Sequence, residues 1–165
     1  MLLTEAYRAQ NAAMHLAKPQ YGAHGLELAS DIVKLAEACK ASGVLDYGCG
    51  KGTLSGAISL PVQNYDPAVP EFSDLPSPAD LVACCDVMEH VEPDCLDAVI
   101  AHLHSLTRKA LYVTICTIPA QKHLPDGRNA HLIVQPAAWW IKKFARFREV
   151  MKVERDHHLT LVLAP

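Results

Sequence analysis

Apolar residues in this chain follow two patterns that alternate along it. Short continuous runs at 44–47, 62–65, 81–85 and 110–117 predict strands covered on both faces, as in a parallel sheet. Between them, apolar positions recur at helical spacing over 53–59 and 94–107. Two more helices precede the first run, the second spanning Ala29 or Ser30 to Lys40, with Lys18-Pro19-Gln20-Tyr21-Gly22 as the turn between them. Near the end, Trp139 to Arg148 reads as a helix with aromatics on one side and cations on another. Two final strands, Phe147 to Arg155 and Leu159 to Ala164, are joined at Asp156-His157-His158, a link too short for a crossover helix, so they are antiparallel neighbours. The pattern predicts one α/β domain over 1–165: helices over 1–41, then a doubly wound, mostly parallel sheet over 42–165 closed by an antiparallel hairpin.

The first run leads into Val44-Leu45-Asp46-Tyr47-Gly48-Cys49-Gly50-Lys51-Gly52. Alternate glycines let the backbone turn sharply and approach a ligand closely, and a helix starting at Thr53 points its free N–H groups at the same spot. Asp66, at the end of the second run, is placed to take the two hydroxyls of a ribose. A dinucleotide fingerprint needs glycine where this chain has Thr53, and a phosphate loop needs Ser or Thr where it has Gly52. The run from Val44 to Leu54 resembles motif I of the class I S-adenosylmethionine-dependent methyltransferases, and the resemblance continues, in the family's order, at Asp66 and over Asp80 to Val91. It implies a Rossmann-like fold, S-adenosylmethionine as the cofactor, methyl transfer as the activity, and cofactor contacts from Asp46, Gly48, Cys49, Gly50, Asp66, Pro67, Asp86 and Val87. The family fits a helix and an edge strand between the ribose acid and the next strand. Here the fourteen residues from Pro67 to Asp80 hold four prolines, which exclude both, so a trimmed sheet of about six strands is expected. Phe72, Ser73, Asp74 and Leu75 are then the expected walls of the adenine pocket.

Asp86-Val87-Met88-Glu89-His90 puts two acids and an imidazole at i, i+3 and i+4, one face of a helical turn. The segment is similar to one in metal-dependent O-methyltransferases, among them small-RNA 2′-O-methyltransferases in which a further histidine comes from beyond the next strand. That resemblance implies a divalent magnesium, manganese or iron ion on Asp86, Glu89, His90 and His131. Methyltransferases that need no metal carry a closely similar segment, and with no metal His90 or His131 is the general base, because imidazole titrates near neutrality.

Leu124 to His131 collects Asp126, Arg128, Asn129 and His131 around Gly127, and Asp126, Arg128 and Asn129 are candidate acceptor contacts, with Arg128 suited to an anion. Of the two tryptophans, one belongs to the core and the other, assigned as Trp140, stacks on the acceptor. Tyr7, His15, Tyr21 and His24 are candidates for a lid over the cofactor. No Asn/Asp-Pro-Pro-Tyr/Phe motif of amino-methylating DNA enzymes occurs, which favours an oxygen acceptor. The function expected is O-methylation of a small or anionic hydroxyl compound; a noncatalytic cofactor-binding module and a nucleic-acid 2′-O-methyltransferase are the alternatives.

Composition changes this picture little. The net charge of −3 conceals five basic and fourteen acidic groups in residues 1–100 against ten and four in 101–165, a balance that suits an anionic acceptor and argues against nonspecific nucleic-acid binding. Six cysteines without Cys-x-x-Cys spacing read as reduced, buried thiols. No run approaches the ~20 apolar residues of a membrane span and the N-terminus lacks a secretory pattern, so the expected setting is the cytoplasm, without a membrane partner.

Overall fold

The computed structural model describes residues 1–17 and 25–165, the side chains of 25 and 26 excepted. The expected turn at 18–22 and the lid candidates Tyr21 and His24 lie outside the described residues. Six strands form one sheet: β1 (Val44–Tyr47), β2 (Val62–Tyr65), β3 (Ala79–Cys85), β4 (Thr107–Cys116), β5 (Arg148–Arg155) and β6 (His158–Ala164), in the order β2-β1-β3-β4-β6-β5. The first four are parallel and β6 runs antiparallel to both β4 and β5.

Helices cover both faces. Leu96, Val99, Ile100, Leu103 and Leu106 make one apolar stripe on α3 (Leu96–Leu106), packed with Trp140 and Phe144 against Leu45, Val82, Leu111 and Leu161 of the sheet. On the other face Ile32 and Ala36 of α2 (Gly25–Cys39) pack on Val44, Leu81, Ala110 and Tyr112. Consecutive strand residues thus feed opposite layers, which is why the central strands read as unbroken apolar runs. Strand β5, at the edge, is exposed along nearly its whole length and carries charges, which discourages pairing with another chain.

Three helical expectations need correction. The stretch 53–59 holds only a 3-10 turn, Thr53–Gly56. Val62 pairs beside Val44, so the link must carry the chain back along the whole of β1, and Gly52 (φ +65°) and Gly56 weaken a helix there. The aromatic helix α4 stops at Lys143 (Ala137–Lys143), because the chain must be extended again at Arg148 to enter β5. Helix α2 begins earlier than expected, at Gly25. Between Pro67 and Asp80 there is a 3-10 turn, Pro70–Phe72, and neither α-helix nor additional strand before β3, as the prolines dictate.

The sheet reverses its order of addition at β1, with β2 on one side and β3 on the other, and ligands in such sheets bind beyond the carboxyl ends at that point. Register brings the ends Tyr47, Tyr65 and Cys85 close together, sets Thr114 beside Cys85, and carries His158 of the antiparallel β6 to Cys116.

Candidate active site

A cleft of about 460 Å³ opens at those strand ends. Eight of the cofactor contacts expected from the sequence line it: Asp46, Gly48, Cys49, Gly50, Asp66, Pro67, Asp86 and Val87. Gly48 sits at φ +78°, and a Cβ there would collide with the Val87 side chain. The turn is locked by Gly48 and Cys49 N–H groups donating to Tyr65 O at 2.7 and 3.1 Å. Asp66 accepts from Gly50 N–H through Oδ2 (3.0 Å) and from Ala68 N–H through Oδ1 (2.9 Å), so the acid at the end of β2 is tied to the glycine turn after β1. Asp46 is 8% exposed at the end of β1, and burial, followed by the charge of Asp66, pushes its carboxyl up to about 7.

Past the end of β3, Asp86 takes a left-handed backbone (φ +54°). Its N–H donates to Thr114 O at 3.0 Å, and Thr114 Oγ1 donates to Asp86 Oδ1 at 2.9 Å. The carboxylate is held toward β4, and Asp86 is therefore not in the set its spacing suggested. Among the described residues the group whose ligand atoms converge, all within 4.8 Å of one another, is Glu89, His90 and His131. Glu89 is fully buried in the 3-10 turn Met88–His90; Oε1 accepts from Cys116 N–H at 2.7 Å while Oε2 has no hydrogen-bond partner among the described residues. Burial, then the nearby Asp86, pushes its carboxyl up to about 8. His90 Nδ1 bonds Ala130 O at 2.7 Å and His131 Nδ1 bonds Ile118 O at 2.6 Å, which selects for each ring the tautomer with its lone pair on Nε2. The rings meet edge to face, centroids 4.8 Å apart. Burial and His131 pull His90 down to about 4, so its imidazole is neutral at physiological pH.

The predicted acceptor contacts fare differently. Asp126, Arg128, Asn129 and Trp140 do not line the cleft. Arg128 is bound by Asp126 through Nε (2.8 Å) and a second guanidinium nitrogen (2.7 Å), and its guanidinium lies 5.9 Å over the Tyr7 ring. Asn129 faces the loop's own backbone. Trp140 is the core member of the pair, fully buried, while Trp139 is partly exposed with Lys143 over its ring at 5.4 Å. Successive helical residues point about 100° apart, so only one tryptophan faces the sheet. Of the expected adenine walls, Phe72 packs against Gly52, Leu75 is exposed, and none of Phe72, Ser73, Asp74 or Leu75 reaches the cleft.

Helix α1 (Glu5–Ala17) lies along the cleft, with Tyr7, Asn11 and His15 among the lining residues. Thr4 anchors its start by donating from N–H and Oγ1 to the two oxygens of Glu92, at 2.7 and 2.8 Å. Tyr7 OH donates to His90 O; at the far end His15 Nε2 is 3.8 Å from Asp66 Oδ2, and Lys51 Nζ donates to His15 O at 2.6 Å. Asn11, Glu92, Lys122 and His158 also line the cleft, and nothing in the local sequence of the last three marks them. For Asn11 a signal existed: Tyr7, Asn11 and His15 recur every fourth residue, one polar stripe on one helix face.

No family model matches the sequence, and no curated protein matches it. Solved structures do match in fold. An O-methyltransferase family protein from Burkholderia thailandensis is 15% identical with a TM-score of 0.63, over 99% of this chain and 63% of that one, so the chain spans less than two thirds of its length. The 1,6-didemethyltoxoflavin-N1-methyltransferase of the same organism, with bound 1,6-didemethyltoxoflavin and S-adenosylhomocysteine, is 16% identical with a TM-score of 0.66, over 99% and 91% of the two chains. The N-methyltransferase NodS from Bradyrhizobium japonicum, in complex with S-adenosylhomocysteine, is 13% identical with a TM-score of 0.66, over 96% and 98%. The chain has the class I methyltransferase fold.

Proposed function

We propose that this chain is a methyltransferase that binds S-adenosylmethionine in the cleft and methylates a hydroxyl group of a small or anionic acceptor, with the help of a divalent ion. The reading rests on one observation: a single cleft holds both a glycine turn tied to an acid at the neighbouring strand end and a converging Glu89, His90 and His131. Asp66 takes the ribose hydroxyls, Gly48 and Gly50 supply the left-handed backbone of the turn with Val87 packed against Gly48, and Asp46 accepts from the ammonium of the amino-acid end. The sulfonium cofactor supplies an activated methyl, so the protein's task is alignment of the acceptor oxygen and removal of its proton.

The residues present fit a metal. The set supplies a buried carboxylate oxygen that lacks a partner among the described residues and two imidazoles whose Nδ1 atoms are held by carbonyls, the outer-shell arrangement found around ligating histidines. The three ligand atoms lie within 4.8 Å of one another, so Glu89, His90 and His131 would be the residues that hold the ion. One carboxylate and two imidazoles suit manganese or iron better than magnesium. When bound, the ion supplies Lewis acidity that lowers the acceptor hydroxyl's pKa. Lys122 lines the cleft near enough to His90 to depress it electrostatically.

Transfer of label from methyl-labelled S-adenosylmethionine to a panel of hydroxy acids, diols and RNA, with Mn²⁺ or with chelator, tests the reading. Label in a small hydroxyl compound that disappears with chelator is the expected result. Label in RNA alone moves the acceptor to nucleic acid; tight binding of S-adenosylhomocysteine without transfer to any acceptor makes the chain a noncatalytic module.

A further inference from the structure

Resting on the metal reading above, we infer that Asn129 is the positioning residue of the Glu89, His90 and His131 centre, through which both imidazoles are oriented at once. Asn129 lies outside the cleft, yet its amide makes three bonds inside its own loop. Oδ1 accepts from Ala120 N–H at 3.0 Å and from His131 N–H at 2.9 Å, and Nδ2 donates to Ala120 O at 2.8 Å. This uses Oδ1 twice and one amide hydrogen, and it ties the segment leaving β4 to the segment that carries His131.

The consequence follows from what the tied peptides hold. Ile118, two residues before the clamped Ala120, offers the carbonyl that fixes His131 Nδ1. Ala130, next to Asn129, offers the carbonyl that fixes His90 Nδ1, and its own N–H is bound to Lys122 O at 3.0 Å. His90 comes from the turn after β3 and His131 from the far side of the loop after β4. The two rings share no element. They face each other because one three-residue stretch, Asn129-Ala130-His131, grips the first ring by a carbonyl, carries the second, and is itself clamped to Ala120. An isolated pairing of each histidine with a carbonyl would fix two tautomers; the amide clamp fixes the distance between them.

Removing the amide frees the 129–131 stretch to shift against 118–120, and both Nδ1 bonds then lose their alignment. The cofactor cradle is built from the β1 and β2 ends and is not touched by Asn129. Loss of an outer-shell partner typically costs 10–100-fold in metal affinity.

Full-length wild type, Asn129→Ala, Asn129→Asp and His131→Ala, each saturated with S-adenosylhomocysteine, are titrated with Co²⁺, read by calorimetry and by the visible d–d bands. The expected result is Co²⁺ affinity at least 10-fold weaker in Asn129→Ala, a smaller loss in Asn129→Asp, which keeps the accepting oxygen but not the donation to Ala120 O, and S-adenosylhomocysteine affinity within twofold of wild type in both. Equal Co²⁺ affinity in wild type and both Asn129 variants overturns the inference while leaving the centre intact. No Co²⁺ binding by wild type, or binding that survives His131→Ala unchanged, overturns the metal reading and this inference with it. Should Asn129→Ala fail to fold, shown by lost S-adenosylhomocysteine binding, Asn129→Asp decides alone: a loss of threefold or more supports the positioning role, and none refutes it.

Discussion

Asp46→Asn is expected to gain stability relative to wild type as pH rises to neutrality and beyond, while weakening the hold on the cofactor. Asp46 is buried, and its carboxyl is pushed up to about 7 by desolvation and by Asp66, against about 3.9 in an unfolded chain. Between those two values the unfolded state has released the proton and the folded state still holds it. Stability contributed by this group is therefore intact below about pH 4, falls as pH rises toward 7, and is level above that. Integrated at 1.36 kcal/mol per pH unit, the burden is about 1.5 kcal/mol at pH 5 and about 4 kcal/mol at pH 8. Asparagine does not titrate. Whatever its amide gains or loses in packing is the same at both pH values, so the difference between variant and wild type should grow in the variant's favour by about 2.5 kcal/mol from pH 5 to pH 8. Urea unfolding of both proteins, without cofactor, measures it. The second half concerns binding: the ionised form is the one that accepts from an ammonium, so wild-type affinity for S-adenosylhomocysteine should rise as pH climbs to about 7 and then level, while the variant's is weaker and flat. A stability difference that is the same at pH 5 and pH 8 would refute the reasoning, since it would mean that Asp46 ionises in the folded protein as easily as in the unfolded one.

Other substitutions probe separate parts of the molecule. Gly48→Ala places a methyl against the Val87 side chain at a backbone angle of +78°, and calorimetry should find S-adenosylhomocysteine affinity reduced more than 10-fold in a protein that still folds. Glu92→Ala removes both bonds that hold Thr4, so limited proteolysis within residues 1–17 should become severalfold faster, with the cleavage rate of the sheet core unchanged. Trp140→Ala empties a fully buried site and should cost about 3–5 kcal/mol in urea unfolding, whereas Trp140→Phe costs less because the indole N–H it removes has no hydrogen-bond partner among the described residues; neither should alter the KM for an acceptor.

The parts of this molecule legible in the sequence are those whose determinants lie close together along the chain. Each central strand is an apolar run because both its faces are covered, and the cofactor turn needs only its own glycines and the acid at the end of the next strand. The stretch 53–59 departs from its helical spacing because its conformation is decided by the pairing of Val62 with Val44, not by its own residues. The acceptor side is harder for the same reason. The polar cluster at 126–131 is visible as composition, but a polar residue can face a ligand or its own backbone, and only the partners separate the two: Asp126 takes Arg128, Asn129 takes Ala120, and His131 alone of the cluster reaches the cleft. Helix α1 shows its Tyr7, Asn11 and His15 stripe plainly, yet what the stripe faces depends on Thr4 meeting Glu92, eighty-eight positions away. The cradle is thus locally encoded and the reacting end is assembled from four distant segments. Substitutions at the cradle should act where they are made, whereas those at Glu92 or Asn129 should be felt at side chains they never touch.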